Sequence, residues 1–377
     1  KEEVMKFICE KNVLLKNLQA SLSAISPKTM LPYLNSLLLE AEGKEVTVTA
    51  TDLEISTKVK FKADVKSGGK VLVHGDLLLA ITKTQEDKDI IIEEAGDTIK
   101  ITCEKFHANV QKRNIDEYPQ IPEFPKKSEN LFSLPAMELL QLIKETAYAA
   151  SREETRYVLC SEYFEVEKGN LTVVATDGKR LSMSKRQIKA PKNLKTSVII
   201  PIKGINVLQR FLALCEEKEE IKTVIQDNAI FFSSNGKMIS SRVVDGTYPD
   251  YKSAFPKSVK VKVEVEREEL LGVIMRTASI FQAGVPSQTS SVKFQIKKNT
   301  LTVSASSPGF GEAEEDIQVQ AAGGSLNVSF NPGYLSELLR HIDSSKVVIE
   351  MVDSLSATVV KATDEPNFIS LIMPMRA

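Results

Sequence analysis

The feature that most constrains this chain is a set of markers recurring at a spacing near 130 residues. The run Thr47-Val48-Thr49-Ala50-Thr51-Asp52 returns as Thr172-Val173-Val174-Ala175-Thr176-Asp177, with a fainter echo at Thr302-Val303-Ser304-Ala305-Ser306-Ser307. Asp177 follows Asp52 by 125 residues, and Ala305 follows Ala175 by 130. A glycine opening an apolar helical stretch recurs at Gly75, Gly204 and Gly333, each 129 residues from the last. A third marker, Glu117-Tyr118-Pro119, returns after 130 residues as Thr247-Tyr248-Pro249. Solenoid repeats run to about 20–50 residues, so a period this long is a domain. The 377 residues are therefore read as a triplication with boundaries at 1–126, 127–256 and 257–377. Pro119, Pro122 and Pro125 ahead of Lys126-Lys127 read as one extended connector, and Pro249 and Pro256 as the next. Proline holds itself and its predecessor extended, which suits a connector.

Two hydrophobic periods alternate within each third. Val59, Phe61, Ala63 and Val65 are interleaved with Lys58, Lys60, Lys62 and Asp64. Val259, Val261, Val263 and Val265 are interleaved with Lys260, Lys262 and Glu264, and Ile99, Ile101 and Cys103 with Lys100 and Thr102. Period two places the apolar side chains on one face, the pattern of half-buried antiparallel strands. Helical spacing occupies 11–25, 75–84, 135–150, 203–214, 267–281 and 333–342, two stretches per third. The expected fold class is α+β: three similar domains, each with two helices packed on antiparallel sheets.

No catalytic spacing is present. His74, His107 and His341 fall one per repeat, without an HExxH or paired-ligand arrangement, and read as surface or packing residues. Each Gly-Lys pair lacks the glycine five positions earlier that a phosphate loop needs: Leu38, Asp64, Val173 and Phe231 stand there. Asp52 and Asp177 each follow a strand, and Asp177 precedes Gly178, so turn chemistry is their expected role. Cys9, Cys103, Cys160 and Cys215 form no CxxC and read as reduced thiols in a cytoplasmic protein. No apolar run approaches the ~18 residues of a membrane span, and Lys1-Glu2-Glu3-Val4 does not open a secretory signal. No metal, no cofactor and no membrane partner is expected.

A net charge of −1 advertises no nucleic-acid binding in bulk, so any such surface must come from sorting basic residues onto one side. Each helical stretch carries a cation off its apolar stripe: Lys16, Lys83, Lys144, Arg210, Arg276 and Arg340. Lys28, Lys203 and Arg152 lie near helix ends. A solvated helix face ordinarily holds such residues. Three similar domains facing one way would gather them into a surface that follows phosphates without reading bases.

Several stretches then match a family. Ala175-Thr176-Asp177-Gly178-Lys179-Arg180-Leu181 resembles the ATDGHRL signature of the bacterial sliding clamp, the beta subunit of DNA polymerase III. Met373-Pro374-Met375-Arg376 resembles its MPMR ending, Val244 to Tyr251 its VDGxFPDY stretch, and Phe330-Asn331-Pro332-Gly333-Tyr334 its FNxxY motif. Met5-Lys6-Phe7 is similar to the usual family start, which makes residues 1–4 an extension. The resemblance covers essentially the whole chain in one register.

That resemblance implies a ring-forming head-to-tail homodimer of the DNA clamp fold. Helices would line a hole around double-stranded DNA, with no sequence preference and no enzymatic activity. DNA polymerases, the clamp loader and repair proteins would dock through short linear motifs in a groove between the second and third domains. The matching groove positions are Leu159, Thr176, Gly178, Lys179, Arg180 and Leu181 on one side. Pro256, Asn331, Tyr334, Met373, Pro374, Met375 and Arg376 would complete it. Methionines adapt to several apolar anchors, although a Met-Pro-Met tail could equally be a core-packing end strand. The signature His is Lys179 here, and Ala377 stands where many relatives carry a larger apolar residue. Lys28 and Tyr157 match DNA-contacting positions. Lys105, Ala108 and Val110 of one subunit would meet Ile280 and Phe281 of the next. A nuclease, which would need a carboxylate cluster, and a DNA-independent scaffold remain the alternatives.

Overall fold

The computed structural model describes residues 4–25, 31–125, 127–283 and 290–376. Six helices carry the helical spacing: α1 (Lys11–Leu22), α2 (Gly75–Thr84), α3 (Ala136–Thr146), α4 (Ile202–Leu212), α5 (Arg267–Ala278) and α6 (Pro332–Arg340). Strands fill most of the remainder, all in antiparallel pairs where register is defined. By contacts the chain divides into two compact units. The first holds 1–140, 167–169 and 188–244; the second holds 141–166, 170–187 and 245–377.

Strand pairing explains why the units do not coincide with the thirds. In the first unit Ile55–Lys62, from the first third, pairs with Lys237–Arg242 from the second, with Ile55 opposite Ser241. In the second unit Arg180–Gln187 pairs with Phe368–Ile372 from the third, with Arg180 opposite Ile372. Both junctions use the strand after the Thr-Asp marker and the last strand of the following third. The main-chain bonds match: Arg242 N donates to Glu54 O at 2.8 Å, and Met373 N to Lys179 O at 2.9 Å.

The repeat markers have physical roles. Tyr118 Oη donates to Thr49 O at 3.1 Å, and Tyr248 Oη to Val174 O at 3.4 Å, so each linker tyrosine anchors on the strand preceding its own Thr-Asp turn. At Gly75 a Cβ would lie 2.4 Å from Leu22 Cδ2, and at Gly204 2.5 Å from Ser241 Oγ, so these helix starts pack too closely for a side chain.

The cores follow the periods read from sequence. In the second unit α5 buries Leu270, Val273 and Ile274, and α6 buries Leu335, Leu338 and Leu339. Phe294 and Phe330 meet edge to face beneath them at 5.3 Å. Each such side chain contributes about 1.5–3 kcal/mol on burial. The strand Thr98–Cys103 alternates as expected, with Ile99, Ile101 and Cys103 buried.

Three expectations are corrected. The alternation from Val59 to Val65 is not one strand. It breaks at Ala63, whose N–H turns to Lys44 O at 3.0 Å, and Asp64–Ser67 pairs instead with Lys6–Glu10. A period of two persists through a corner at which the partner strand changes, so sequence alone cannot see the break. Val259 lies outside its strand, which begins at Val261, and is 48% exposed. The third helix ends at Thr146, and Ala147–Ala149 continues as a 3-10 turn.

Candidate functional site

The site begins at the Thr-Asp turn of the second unit. Thr176 Oγ1 donates to Arg180 O at 2.6 Å and accepts from Gly178 N at 3.0 Å. Asp177 Oδ1 accepts from Lys179 N at 2.8 Å and Arg180 N at 3.0 Å. This is the side-chain-to-backbone turn expected of both aspartates. The first unit repeats it: Thr51 Oγ1 donates to Ile55 O, and Asp52 Oδ1 accepts from Glu54 N and Ile55 N. Gly178 takes φ +87° in the second unit. In the first, Leu53 must take φ +76° at the same step, where a Cβ is unfavourable.

Arg180 is the pillar of the site. Its side chain is 5% exposed, and each face of the guanidinium fork is engaged. Nε donates to Asp177 Oδ2 at 3.1 Å, Nη1 to Glu337 Oε2 at 2.7 Å, and Nη2 to Tyr148 O at 2.6 Å. The cation lies 4.6 Å from the Tyr334 ring centroid and 5.4 Å from that of Tyr148, within cation–π range. Burial pushes the Tyr148 hydroxyl up to about 12, and burial followed by the charge of Asp177 raises that of Tyr334. Both tyrosines therefore stay neutral. His341 stacks on Tyr148 at 4.5 Å, closing the far side.

The C-terminal segment is pinned onto this pillar. Met373 N donates to Lys179 O and Met375 N to Ser329 O at 2.7 Å, leaving the Met373 side chain 44% exposed and Pro374 and Met375 half-buried. Arg376 is exposed. Asn331 caps α6, accepting from Gly333 N at 2.8 Å and Tyr334 N at 3.2 Å, and so orients Tyr334. Leu181 is buried opposite Leu371. Leu159 is half-buried and bonds through its N–H to Arg156 O at 2.7 Å. Pro256 is half-buried beyond the 3-10 turn Tyr251–Ala254. Thr176, Gly178, Lys179, Arg180, Leu181, Asn331, Tyr334 and the tail thus share one bonded cluster. Sequence reasoning missed Arg156, whose Nη1 donates to Asp177 O at 2.9 Å beside Gly178, and missed Glu337. No motif flags either one. Arg180 bonds within the chain through Nε, Nη1 and Nη2, and Asn331 through Oδ1, so both shape the cluster.

The cations were expected on one surface. In the first unit Lys16 of α1, Lys83 of α2 and Arg210 of α4 line a single cleft of about 550 Å³. Lys203 instead bonds to Asp52 and lies 3.5 Å from Glu54. In the second unit Lys144 is exposed, Arg152 reaches Glu337 at 2.8 Å, and Arg276 forks onto Glu315 at 2.8 and 2.6 Å. Arg340 Nη2 contacts Met275 Sδ at 3.3 Å. Tyr157 is 63% exposed. Lys28 lies outside the described residues.

Of the residues expected at a subunit contact, Lys105 is exposed and Ala108, Ile280 and Phe281 are half-buried. Val110 turns into its own core at 4% exposure, so its side chain is unavailable to a partner. Phe106, 39% exposed on the same strand, is the apolar side chain that strand does present. Two strands that carry or adjoin these residues leave one side unpaired over most of their length among the described residues. Gly311–Gln318 pairs only with Thr300–Ser307, and Phe106–Arg113 pairs along one side with Thr98–Cys103 and otherwise only near Lys112 and Arg113.

Family models for the DNA polymerase III beta subunit match in three parts: the N-terminal domain over residues 5–122, the central domain over 133–250 and the C-terminal domain over 252–376. A beta sliding clamp of Pseudomonas aeruginosa is 30% identical over 376 residues, covering 99% of this chain and 100% of its own. One from Chlamydia pneumoniae is 27% identical, covering 99% of each. The crystal structure of the DNA polymerase III beta subunit of Thermotoga maritima superposes with a TM-score of 0.91 at 28% identity, over 99% of this chain and 100% of that one. A Pseudomonas aeruginosa clamp bound to griselimycin superposes with the same score, identity and coverage.

Proposed function

The chain belongs to the DNA polymerase III beta-subunit family, the beta sliding clamps, and from that premise we propose that two copies close head to tail into a ring around duplex DNA. It is a processivity factor for DNA polymerase and not itself an enzyme. Each third, at 1–126, 127–256 and 257–377, acts as one clamp domain. Polymerases, the clamp loader and repair proteins dock at the cluster built on Arg180, in the cytoplasm.

The observation that carries the ring is the pairing rule used twice within the chain. The strand after each Thr-Asp marker pairs with the last strand of the next third. Applied a third time, the rule sends the open edge Gly311–Gln318 to the open edge Phe106–Arg113 of a second copy. The register carries over through the markers: Ile55 stands opposite Ser241 seven residues before Tyr248. Its counterpart sets Phe310 against Gln111, and hence Asp316 against Lys105. Glu312, Glu314 and Asp316 on one edge face Lys105 and His107 on the other, and Phe106 meets the side of Ile280 and Phe281. Closure removes both exposed edges at once.

Lys16, Lys83 and Arg210 form the phosphate-following surface in the first unit, with Lys28, Lys144, Arg152, Tyr157, Lys203, Arg276 and Arg340 as its extensions. Those cations already held by carboxylates contribute weakly. Leu159, Pro256, Met373, Pro374, Met375 and Arg376 complete the docking groove around the turn. The apolar, adaptable methionine at 373 suits ligands of varied shape.

Light scattering followed by retention on nicked circular DNA tests this reading. A particle of twice the chain mass that stays on circles and leaves after linearisation supports it. A monomer, or equal retention on both forms, overturns it.

A further inference from the structure

Glu337 lies on α6, outside every residue set assigned above, and its two carboxylate oxygens are divided between two arginines. Oε2 accepts from Arg180 Nη1 at 2.7 Å and Oε1 from Arg152 Nη2 at 2.8 Å. The two arginines have opposite surroundings: Arg180 is 5% exposed within the groove cluster, whereas the Arg152 side chain is 82% exposed and neighbours the segment carrying Tyr157. The turn of α6 that holds Glu337 is also fixed to the cluster from its other end. Glu337 O lies 2.7 Å from Nδ1 of His341, whose ring stacks on Tyr148.

We propose that Glu337 is a positioning residue that couples phosphate contact at Arg152 to the state of the docking groove at Arg180. The inference rests on the clamp reading above. A DNA phosphate competes with Glu337 for the guanidinium of Arg152, because both offer oxygen acceptors to the same fork. When the phosphate takes Arg152, the carboxylate presents its undivided charge to Arg180. Arg180 is then held more firmly between Tyr334 and Tyr148, and the groove wall is better organised before a ligand arrives. Groove ligands therefore bind more tightly when DNA is in place, and linkage requires that they strengthen DNA contact by the same factor. An exposed pair is worth up to about 1 kcal/mol, so the expected coupling is roughly two- to five-fold.

The test takes griselimycin, which is bound in the Pseudomonas aeruginosa clamp structure, as the proposed probe of this groove, and measures its labelled form binding to the full chain by anisotropy, with and without a short linear duplex at low salt. The wild type should bind the probe about two- to five-fold more tightly with duplex present. Glu337→Gln should bring that ratio to unity, while Glu268→Gln, which removes an exposed carboxylate of α5 paired with Arg267, should leave it in place. A wild-type ratio at or below unity, with both ligands binding, overturns the coupling and leaves the clamp reading standing. So does a ratio that survives Glu337→Gln. A duplex that does not bind at low salt overturns the coupling, which needs Arg152 to meet phosphate, and leaves the clamp reading to the circular-DNA test; griselimycin that does not bind overturns the docking groove and the coupling with it.

Discussion

The guanidinium of Arg180 stands 4.6 Å from the ring centroid of Tyr334, so the residue that closes the Thr-Asp turn is also the wall of the docking cluster. The turn, the tail and α6 all meet in that one side chain.

Replacing Arg180 should therefore damage binding and stability together. Arg180→Ala leaves Asp177 without its arginine and Glu337 with Arg152 alone, in a mostly buried setting, at a cost of about 2–4 kcal/mol. Arg180→Lys keeps the charge but not the fork or the ring stacking, and should recover less than half of that loss. Denaturant titration, with griselimycin binding read in parallel, checks both. An Arg180→Lys chain indistinguishable from wild type would contradict the pillar role.

The tail is held by two main-chain bonds and leaves Met373 outward. Deleting residues 373–377 should abolish groove binding while the dimer persists, because the open edges proposed for the subunit contact lie elsewhere. Unchanged probe affinity, or a monomeric deletion chain, would refute this.

The proposed ring-closing register places Asp316 of one subunit against the partner's Lys105. Lys105→Glu should weaken the dimer, since it adds a like charge opposite an already acidic edge. Adding Asp316→Lys should restore dimer mass in light scattering. Failure of the double variant to improve on the single one would show that the strands pair in another register.

Glu162 is fully buried. One carboxylate oxygen accepts from Thr146 Oγ1 at 2.6 Å and the other has no partner among the described residues. Burial pushes its carboxyl up to about 8. The folded state then holds a proton that the unfolded chain releases near its ordinary value of 4.5, so stability falls as pH rises between those two values. Glu162→Gln should flatten that decline, with a melting temperature above wild type at pH 8 and no such advantage at pH 4. Parallel pH profiles for the two chains would dispose of the idea.

Leu53 occupies the left-handed step that Gly178 fills in the second unit, and it is 48% exposed. Leu53→Gly relieves about 1–2 kcal/mol of backbone strain against about 0.5–1 kcal/mol of added unfolded-state freedom. The variant should be at least as stable as wild type in thermal melts. A clear loss would mean that the Leu53 side chain has a packing role.

Much of this protein was legible in its residues. The markers at Asp52 and Asp177, the helix-opening glycines and the alternating strands located six helices and both turns, because turn chemistry and amphipathic periodicity are local. The turn from Thr176 to Leu181 and the tail from Met373 to Arg376 were singled out through motif resemblance, and the structure bonds Met373 N to Lys179 O. Arg156 and Glu337 were not found. Each is an unremarkable charged residue whose role depends on what lies across from it, 21 positions away for Arg156 and 157 for Glu337.

By itself, then, the sequence determined the threefold plan, the elements within each third and the chemistry of the turns, since these depend on neighbours within a few positions. The tertiary structure alone decided which strands pair across thirds, that Lys203 and Arg276 are held by carboxylates while Lys16, Lys83 and Arg210 share a cleft, and that Val110 faces inward. Those outcomes rest on long-range registers and on competition between distant charges, which no local pattern records.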